Sequence, residues 1–582
     1  LTEDVQVKAD KSMIFGSKSG LELYSNSFYK ALPTLKNGFM QDKMCDVGAV
    51  SNTDTFIKQG AYNTETATSW SWGALKNVNY FIDGCNDPKY CTVEAETRDN
   101  YLGIARWFRA WFYYDKLTTY GEVPWFPNDI QSYQNDVMYK DRDSRDVIIR
   151  NLIADLDFAY EHIQATSSTG SATLTRWAAA ALKSRVCLFE AAYRRYHNLT
   201  GLEITPEELY REAAKAAKLV IDNSGCSLNT AAGKKGAYRD LFYSETPLTQ
   251  EVILAVCANE KSGIFGEQNW WFNARSYGLC WSLVRSFVHT YLKQDGTPFT
   301  AAADYAVKSF AEEMEGRDLR LEQTVRGRNF LWDGKTAVAD IKNLSLTGYQ
   351  VIKYTLDESK YDGGAKNINS IPLIRYAEVL LNYAEAQAEL GVITDSEWAL
   401  TVGALRKRAG ITGGTETLPT TVDSYLQRTF YPDVTSPVLL EIRRERAIEL
   451  VAEGMRFDDL RRWKCGSLME TLRWSGIHIP GLEQPVDVNG DGVNDYYFTE
   501  GEVASAPAAY KNIAVRVNQD GVGLYAEANP VSGYDLVYKT GAGDRYWYPD
   551  GRQYLYPIPA KVIRDYRNAG YTISQNPEWD NE

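Results

Sequence analysis

Along this chain the apolar residues recur most regularly every three to four positions, the spacing that puts them on one face of an α-helix. In "TRDNYLGIARWFRAWFYYDKLTT" (97–119), Leu102, Ala105, Phe108 or Arg109 and Phe112 make one such stripe. Residues 144–163 repeat the pattern with Ser144 as the expected N-cap. Residues 175–196 and 210–222 form a further pair with small Ala at many stripe positions, and 375–390 runs to Gly391 before a second helix over 396–409. The stretch "EIRRERAIELVAEGMRFDDLRRW" (441–463) is predicted as another helix. Long helices joined in pairs predict a mainly α chain on tetratricopeptide-like helix-turn-helix repeats, with an irregular helical bundle as the alternative.

Elsewhere the pattern breaks down. Residues 226–350 and 464–560 carry Gly, Asn, Asp and aromatic residues with only short apolar runs, such as "EVILAV" (251–256). No Pro/Ser-rich linker divides the chain. The expectation is one globular domain over 1–582, with the helical scaffold mainly in 20–225 and 371–463. The irregular, loop-rich parts then fall mainly in 226–370 and 464–582.

Composition changes this picture in three ways. A net charge of −13 argues against a nucleic-acid partner. The 39 Tyr and 15 Trp, against 20 Phe, favour rings with a polar handle, which suit partly wet surfaces. Eight Cys form no CxxC pair, though Cys85 and Cys91 are near enough in sequence to bridge, and four His form no paired metal motif. No apolar run approaches the length of a membrane span. The chain starts at Leu1 without Met, so removal of an N-terminal segment is expected.

The charged stretch 441–463 holds six Arg and six carboxylates. Glu441, Glu445, Glu449 and Glu453 recur every four residues and line one helix face. Neighbouring carboxylates there would stand about 6 Å apart, near the roughly 5–5.5 Å of a retaining glycosidase pair. Such a pair must flank a bond from two sides, which one helix face cannot do. Arg444, Arg446 and Arg456 sit three residues from Glu441, Glu449 and Glu453, the spacing of ion pairs worth a few tenths of a kcal/mol when exposed. The stretch reads as scaffold.

The same stretch closely resembles the hallmark helix of the SusD/RagB family of outer-membrane nutrient-binding lipoproteins. "WSWGALKNVNYFID" (70–83), "IPLIRYAEVLLNYAEAQAELG" (371–391) and the terminal "YLYPIPAKVI…ISQNPEWDN" (554–581) resemble the family in the same order. The resemblance implies a mainly α, SusD-like fold on tetratricopeptide-like helix pairs, with a more irregular half resting on it. It also implies a non-catalytic protein, lipid-anchored to the outer membrane upstream of Leu1 and facing the exterior. Such a protein binds oligosaccharides or polysaccharides and hands them to a partner TonB-dependent transporter; RagB-like members bind peptides.

Sugar binding asks for flat apolar faces beside hydrogen-bonding groups. "GIFGEQNWWFNARSYGLCW" (263–281), an expected loop, supplies Trp270, Trp271, Tyr277 and Trp281 with Asn269, Asn273 and Arg275. "TSWSWG" (68–73) supplies Trp70 and Trp72. The second falls where the family places a large aromatic at a helix start, so core packing competes with ligand contact there. Trp332 in "NFLWDG" is a third candidate. Trp107, Trp111, Trp177 and Trp463 lie on helical stripes and are assigned to the core.

"DVNGDGVND" (487–495) gives the opening half of a calcium loop. Asp487, Asn489 and Asp491 supply side-chain oxygens, Gly492 the sharp turn, Val493 a carbonyl and Asp495 the closing carboxylate. Phe498 stands where an EF-hand has its bidentate Glu, so the expected calcium is a structural ion and the alternative an ion-free Asx-turn loop.

Two other function classes compete: a tetratricopeptide scaffold for protein tails, and a glycoside hydrolase. The aromatic loops and the "YPIP…QNPEW" terminus speak against the first. No carboxylate pair is set apart by its sequence context to support the second.

Overall fold

Most of the long periodic blocks are single helices in the structure, a computed structural model that describes residues 11–36, 42, 44–274, 278–539 and 545–580. The helices used below are α1 (Lys18–Ser25), α2 (Gly73–Asn86), α3 (Ala95–Tyr120), α4 (Arg145–His162), α5 (Arg176–Tyr196), α6 (Pro206–Asn223) and α7 (Gln268–Asn273). They are followed by α8 (Tyr376–Glu389), α9 (Pro437–Glu449), α10 (Arg456–Arg462) and α11 (Ala560–Asn568). Ser144 Oγ caps α4 by accepting from the Val147 amide at 3.4 Å. Thr205 and Glu208 close a capping box at α6, with Pro206 in the first turn.

The helices stack in chain order: α2 on α3, α3 on α4, α4 on α5, α5 on α6, then α6 on α8 and α8 on α9. This is the mainly α arrangement of paired helices expected from the stripes. Trp107, fully buried, donates its indole N–H to the Ala178 carbonyl at 3.1 Å and so ties α3 to α5. Trp111 and Trp177, assigned to the core from their stripes, are only half-buried.

Two predicted helices are broken. The block 396–409 divides into Asp395–Leu400 and Val402–Arg408 at Thr401, whose φ of −107° and ψ of −93° leave the helical region. The block 441–463 divides into α9 and α10, because Ala452 (φ 66°) and Gly454 (φ 82°) turn the chain through the left-handed region.

The charges of 441–463 lie inside the protein and not on an exposed face. Glu445 and Glu449 are buried, as are Arg443, Arg444, Arg446 and Arg462. Their partners come from distant elements, which local spacing cannot reveal: Arg320 for Glu445, Arg406 for Glu441, and Glu385 for Arg462. The scaffold role stands, but the weak surface pairs are replaced by a buried ionic network.

The remaining chain is short strands and turns. Val252–Val256 pairs antiparallel with Ile371–Arg375, which leads directly into α8. Two three-stranded sheets occupy the C-terminal part, one from Ser475–Ile479, Leu524–Ala528 and Tyr534–Tyr538. The other joins Pro485–Val486, Tyr496–Thr499 and Ala514–Arg516. One apolar core runs from Phe15 to Trp579 and includes both helical and irregular segments. All eight cysteines, Cys85 and Cys91 included, are free thiols. Among the described residues no helix is long and apolar enough to cross a membrane.

Candidate functional site

Thr68 to Lys76 lead into α2 and form one wall of an open cleft of about 1200 Å³. Phe126 to Tyr139 form the second wall, and the C-terminal helix α11 the third. The α11 wall is fixed by the Ala560 amide, which donates to the Thr64 carbonyl at 2.9 Å. Tyr566 seals the far side: its ring meets Tyr139 edge-on at 5.1 Å, and its hydroxyl donates to the Lys140 carbonyl at 3.2 Å.

Trp70 and Trp72 line this cleft, and both are half-buried. Their ring centroids lie 5.3 Å apart at an interplanar angle of 69°. Trp70 rests edge-on against Tyr120 at 4.9 Å; Trp72 meets Phe126 edge-on at 5.2 Å and Phe112 at a tilt at 5.5 Å. Each ring is therefore supported from behind and held in one orientation, which lowers the entropy lost when a ligand covers it. For Trp72 the packing expectation is met, and the same ring also lines the cleft.

Polar groups stand around the rings. Asn79 is buried and spends its amide N–H on the Phe126 and Asn128 carbonyls, at 2.8 and 3.1 Å, holding the second wall in place. Lys76 reaches Asp129 at 3.1 Å, Arg564 reaches Glu65 at 2.6 Å, and Lys561 reaches Asp565 at 2.6 Å. The Arg564 and Lys561 pairs are exposed along the cleft edge and open to exchange with ligand hydroxyls, whereas Asp129 is largely covered beneath an exposed Lys76. Sequence reasoning missed Phe126, Tyr139, Tyr566, Lys561 and Arg564, because only the chain path brings 126–139 and 559–569 to Trp70. The one available signal was the terminal "YLYPIPAKVI" motif itself.

Among the described residues, the stretch 263–281 contributes none to this cleft. Its central part is the short helix α7 and not a loop. Asn269 is fully buried, and its side chain is consumed by the Leu356 amide and carbonyl (2.8 and 2.7 Å) and by Asn367 (2.7 Å). It is a structural bracket and corrects the ligand expectation. Trp281 is likewise core: it is 3% exposed and lies over Gly48, where a Cβ would come within 2.4 Å of the indole nitrogen. Trp270 and Trp271 are half-buried, with centroids 5.0 Å apart. Asn273, also half-buried, donates to Asp362 at 3.1 Å. Trp332 sits half-buried in a hairpin with the Arg326 guanidinium 5.3 Å from its ring. Arg275 and Tyr277 lie outside the described residues. Trp270, Trp271 and Asn273 thus remain half-buried on this short helix, apart from the cleft.

In the acidic loop, Asp487 accepts from the Gly490 and Gly492 amides, both at 2.8 Å, and Asp491 from the Val493 amide at 2.8 Å. Asp495 accepts from the Val488 amide at 2.8 Å, and Asn489 accepts from the Asp491 amide at 3.2 Å. Burial raises the Asp495 carboxyl above its ordinary range, with Asp491 and Asp487 adding to the rise. Among the described residues no three His, Cys, Asp or Glu side chains are grouped to hold a metal ion. The loop is closed by its own amides, and a cation here requires the carboxylates to turn inward.

The SusD family is matched over residues 250–579. A SusD-like carbohydrate binding protein of Bacteroides fragilis superposes with a TM-score of 0.67 at 19% identity, over 96% of this chain and 99% of its own. A second SusD-like protein of that organism gives 0.65 at 20% identity, over 97% and 98%. A SusD superfamily protein of Parabacteroides distasonis gives 0.57 at 18%, over 96% and 99%. At these identities the likeness shows the fold. No curated protein matches the chain.

Proposed function

Because the chain belongs to the SusD family, we propose that it is a non-catalytic binding protein that captures oligosaccharides in the cleft beside Trp70 and Trp72. It then passes them to a partner TonB-dependent transporter while anchored by lipid to the outer membrane. The observation that carries this reading is the cleft: about 1200 Å³, open, with two supported indoles and exchangeable polar pairs along its edge. The carbohydrate-binding description of the Bacteroides fragilis relative supports it. Trp270, Trp271, Asn273 and Trp332 are secondary contacts in this reading.

Native affinity electrophoresis through a panel of polysaccharides tests it. Retardation by one polysaccharide, relieved by its own oligosaccharides and reduced in Trp70→Ala, is the expected result. Retardation by none, with peptides bound instead, replaces it with the RagB-like peptide reading. Shortened products after incubation with the bound sugar would overturn the non-catalytic assignment.

We propose also that the 487–495 loop takes a structural calcium through Asp487, Asn489, Asp491, Val493 and Asp495. The support is the alternation of oxygen-bearing side chains at Asp487, Asn489 and Asp491 ahead of Gly492, together with the Asp495 carboxyl, which Asp491 and Asp487 help to push upward. Calcium is expected to raise the thermal midpoint and a chelator to lower it. A midpoint indifferent to both leaves a self-capped turn.

A further inference from the structure

We infer that the cleft selects an uncharged oligosaccharide of several sugar units and disfavours chains bearing uronate or sulfate groups. This rests on the reading of the cleft as a glycan site.

Three cations line the cleft, Lys76, Lys561 and Arg564, and each already has a carboxylate. Asp129 stands 3.1 Å from Lys76, Asp565 2.6 Å from Lys561, and Glu65 2.6 Å from Arg564. Lys76 also donates to the Ile130 carbonyl at 3.1 Å. Two more carboxylates border the same wall. Asp83 accepts from the Asn128 side chain and the Asp129 amide, both at 2.8 Å, and Asp136 accepts from the Tyr571 hydroxyl. With Glu65 and Asp565 in the lining and Asp129 beside Lys76, the three cations of the cleft are matched one for one.

An anionic sugar has to take a cation from its carboxylate. The exposed pair itself is weak, but the carboxylate left behind stays beside the newcomer, and like charges at that range repel. The protein's net charge of −13 adds a repulsive field for any polyanion. Sugar hydroxyls face the opposite situation. They are donors, and carboxylates such as Glu65 and Asp565 accept from them as charge-assisted hydrogen bonds without surrendering their cations. The size argues for a chain: a pocket for one drug-sized ligand spans about 300–1000 Å³, and this one exceeds that range.

The test sets neutral polysaccharides (dextran, arabinan, xyloglucan, yeast mannan) against acidic ones (polygalacturonate, alginate, dextran sulfate), with wild-type protein and Trp70→Ala. The expected result is retention by at least one neutral polysaccharide, weakened about tenfold or more in the variant. Its affinity should change less than about twofold between about 50 and about 500 mM sodium chloride, since no net charge is screened. An acidic polysaccharide that binds through Trp70, and loosens about tenfold over the same salt range, overturns the charge inference and leaves the glycan reading standing. No retention by any polysaccharide overturns the glycan reading on which the inference rests.

Discussion

Arg375 Nη1 lies 2.7 Å from Glu449 Oε1, and the two side chains are 2% and 0% exposed. Glu449 also receives Arg408, and Arg320 at 2.8 Å; Arg375 continues to Glu251 at 3.0 Å and Glu453 at 2.6 Å. Against the upward push of burial, Arg408, Arg375 and Arg320 hold the Glu449 carboxyl well below the usual carboxylate range. This network joins α9 to the strand Ile371–Arg375 and to the helix Val402–Arg408. It is where the irregular and helical parts of the chain lock together.

Removing one partner from such a network leaves buried guanidiniums without their counter-charge. Glu449→Ala is therefore expected to cost about 3–5 kcal/mol, read as a lower urea midpoint. A loss below about 1 kcal/mol would mean that water reaches the site and that burial is not what gives the network its weight.

The two tryptophan environments predict opposite phenotypes. Trp70→Ala removes a half-buried ring from the cleft wall. It is expected to weaken oligosaccharide binding by about 1–3 kcal/mol, with little change in the thermal midpoint. Calorimetric titration of the variant, beside its melting curve, checks both halves. Unchanged affinity would move the ligand away from Trp70 and toward the Trp270 patch.

Trp281→Ala should do the reverse. The ring is core, and its loss is expected to cost about 3–5 kcal/mol of stability. Gly48→Ala attacks the same contact from the other side, because its new Cβ would lie 2.4 Å from the indole nitrogen. An overpacking cost of about 1–3 kcal/mol is expected from denaturant unfolding. If both variants keep wild-type stability but lose sugar binding, Trp281 belongs to the ligand surface after all.

The scaffold was legible in the chain because helix stripes are local: α3, α4, α5 and α8 were placed within a few residues of their observed ends. Breaks such as Thr401 and the 450–455 turn were not, since both lie inside otherwise good helical periodicity. The site was half legible. Trp70 and Trp72 announced themselves as indoles ahead of a helix, whereas the walls facing them come from residues 126–139 and 559–569. Asn269 shows the converse failure. An Asn beside two Trp looks like a sugar contact until Leu356, Asp362 and Asn367, about ninety residues on, are seen to occupy its side-chain amide. The burial of Glu449 was hidden for the same reason: its partners at 320, 375 and 408 are remote in sequence.

A final expectation concerns acid stability. His197 packs on Tyr193 with centroids 4.0 Å apart, and its Nε2 sits 2.7 Å from the Arg461 carbonyl, linking α5 to α10. Burial lowers its pKa from 6.5 to about 4. Because the folded value lies below the unfolded one, the unfolded chain binds more protons between those limits, and stability must fall as pH drops from 6.5 through about 4. A shift of that size corresponds to a loss of about 3 kcal/mol across the window. His197→Gln removes the titration while keeping a side-chain donor for the Arg461 carbonyl. The variant is expected to be somewhat less stable at neutral pH, having lost the ring contact, but with a shallower decline in unfolding free energy toward pH 4. Parallel declines in the two proteins would assign the acid sensitivity to other groups and show that His197 protonates without penalty in the folded state.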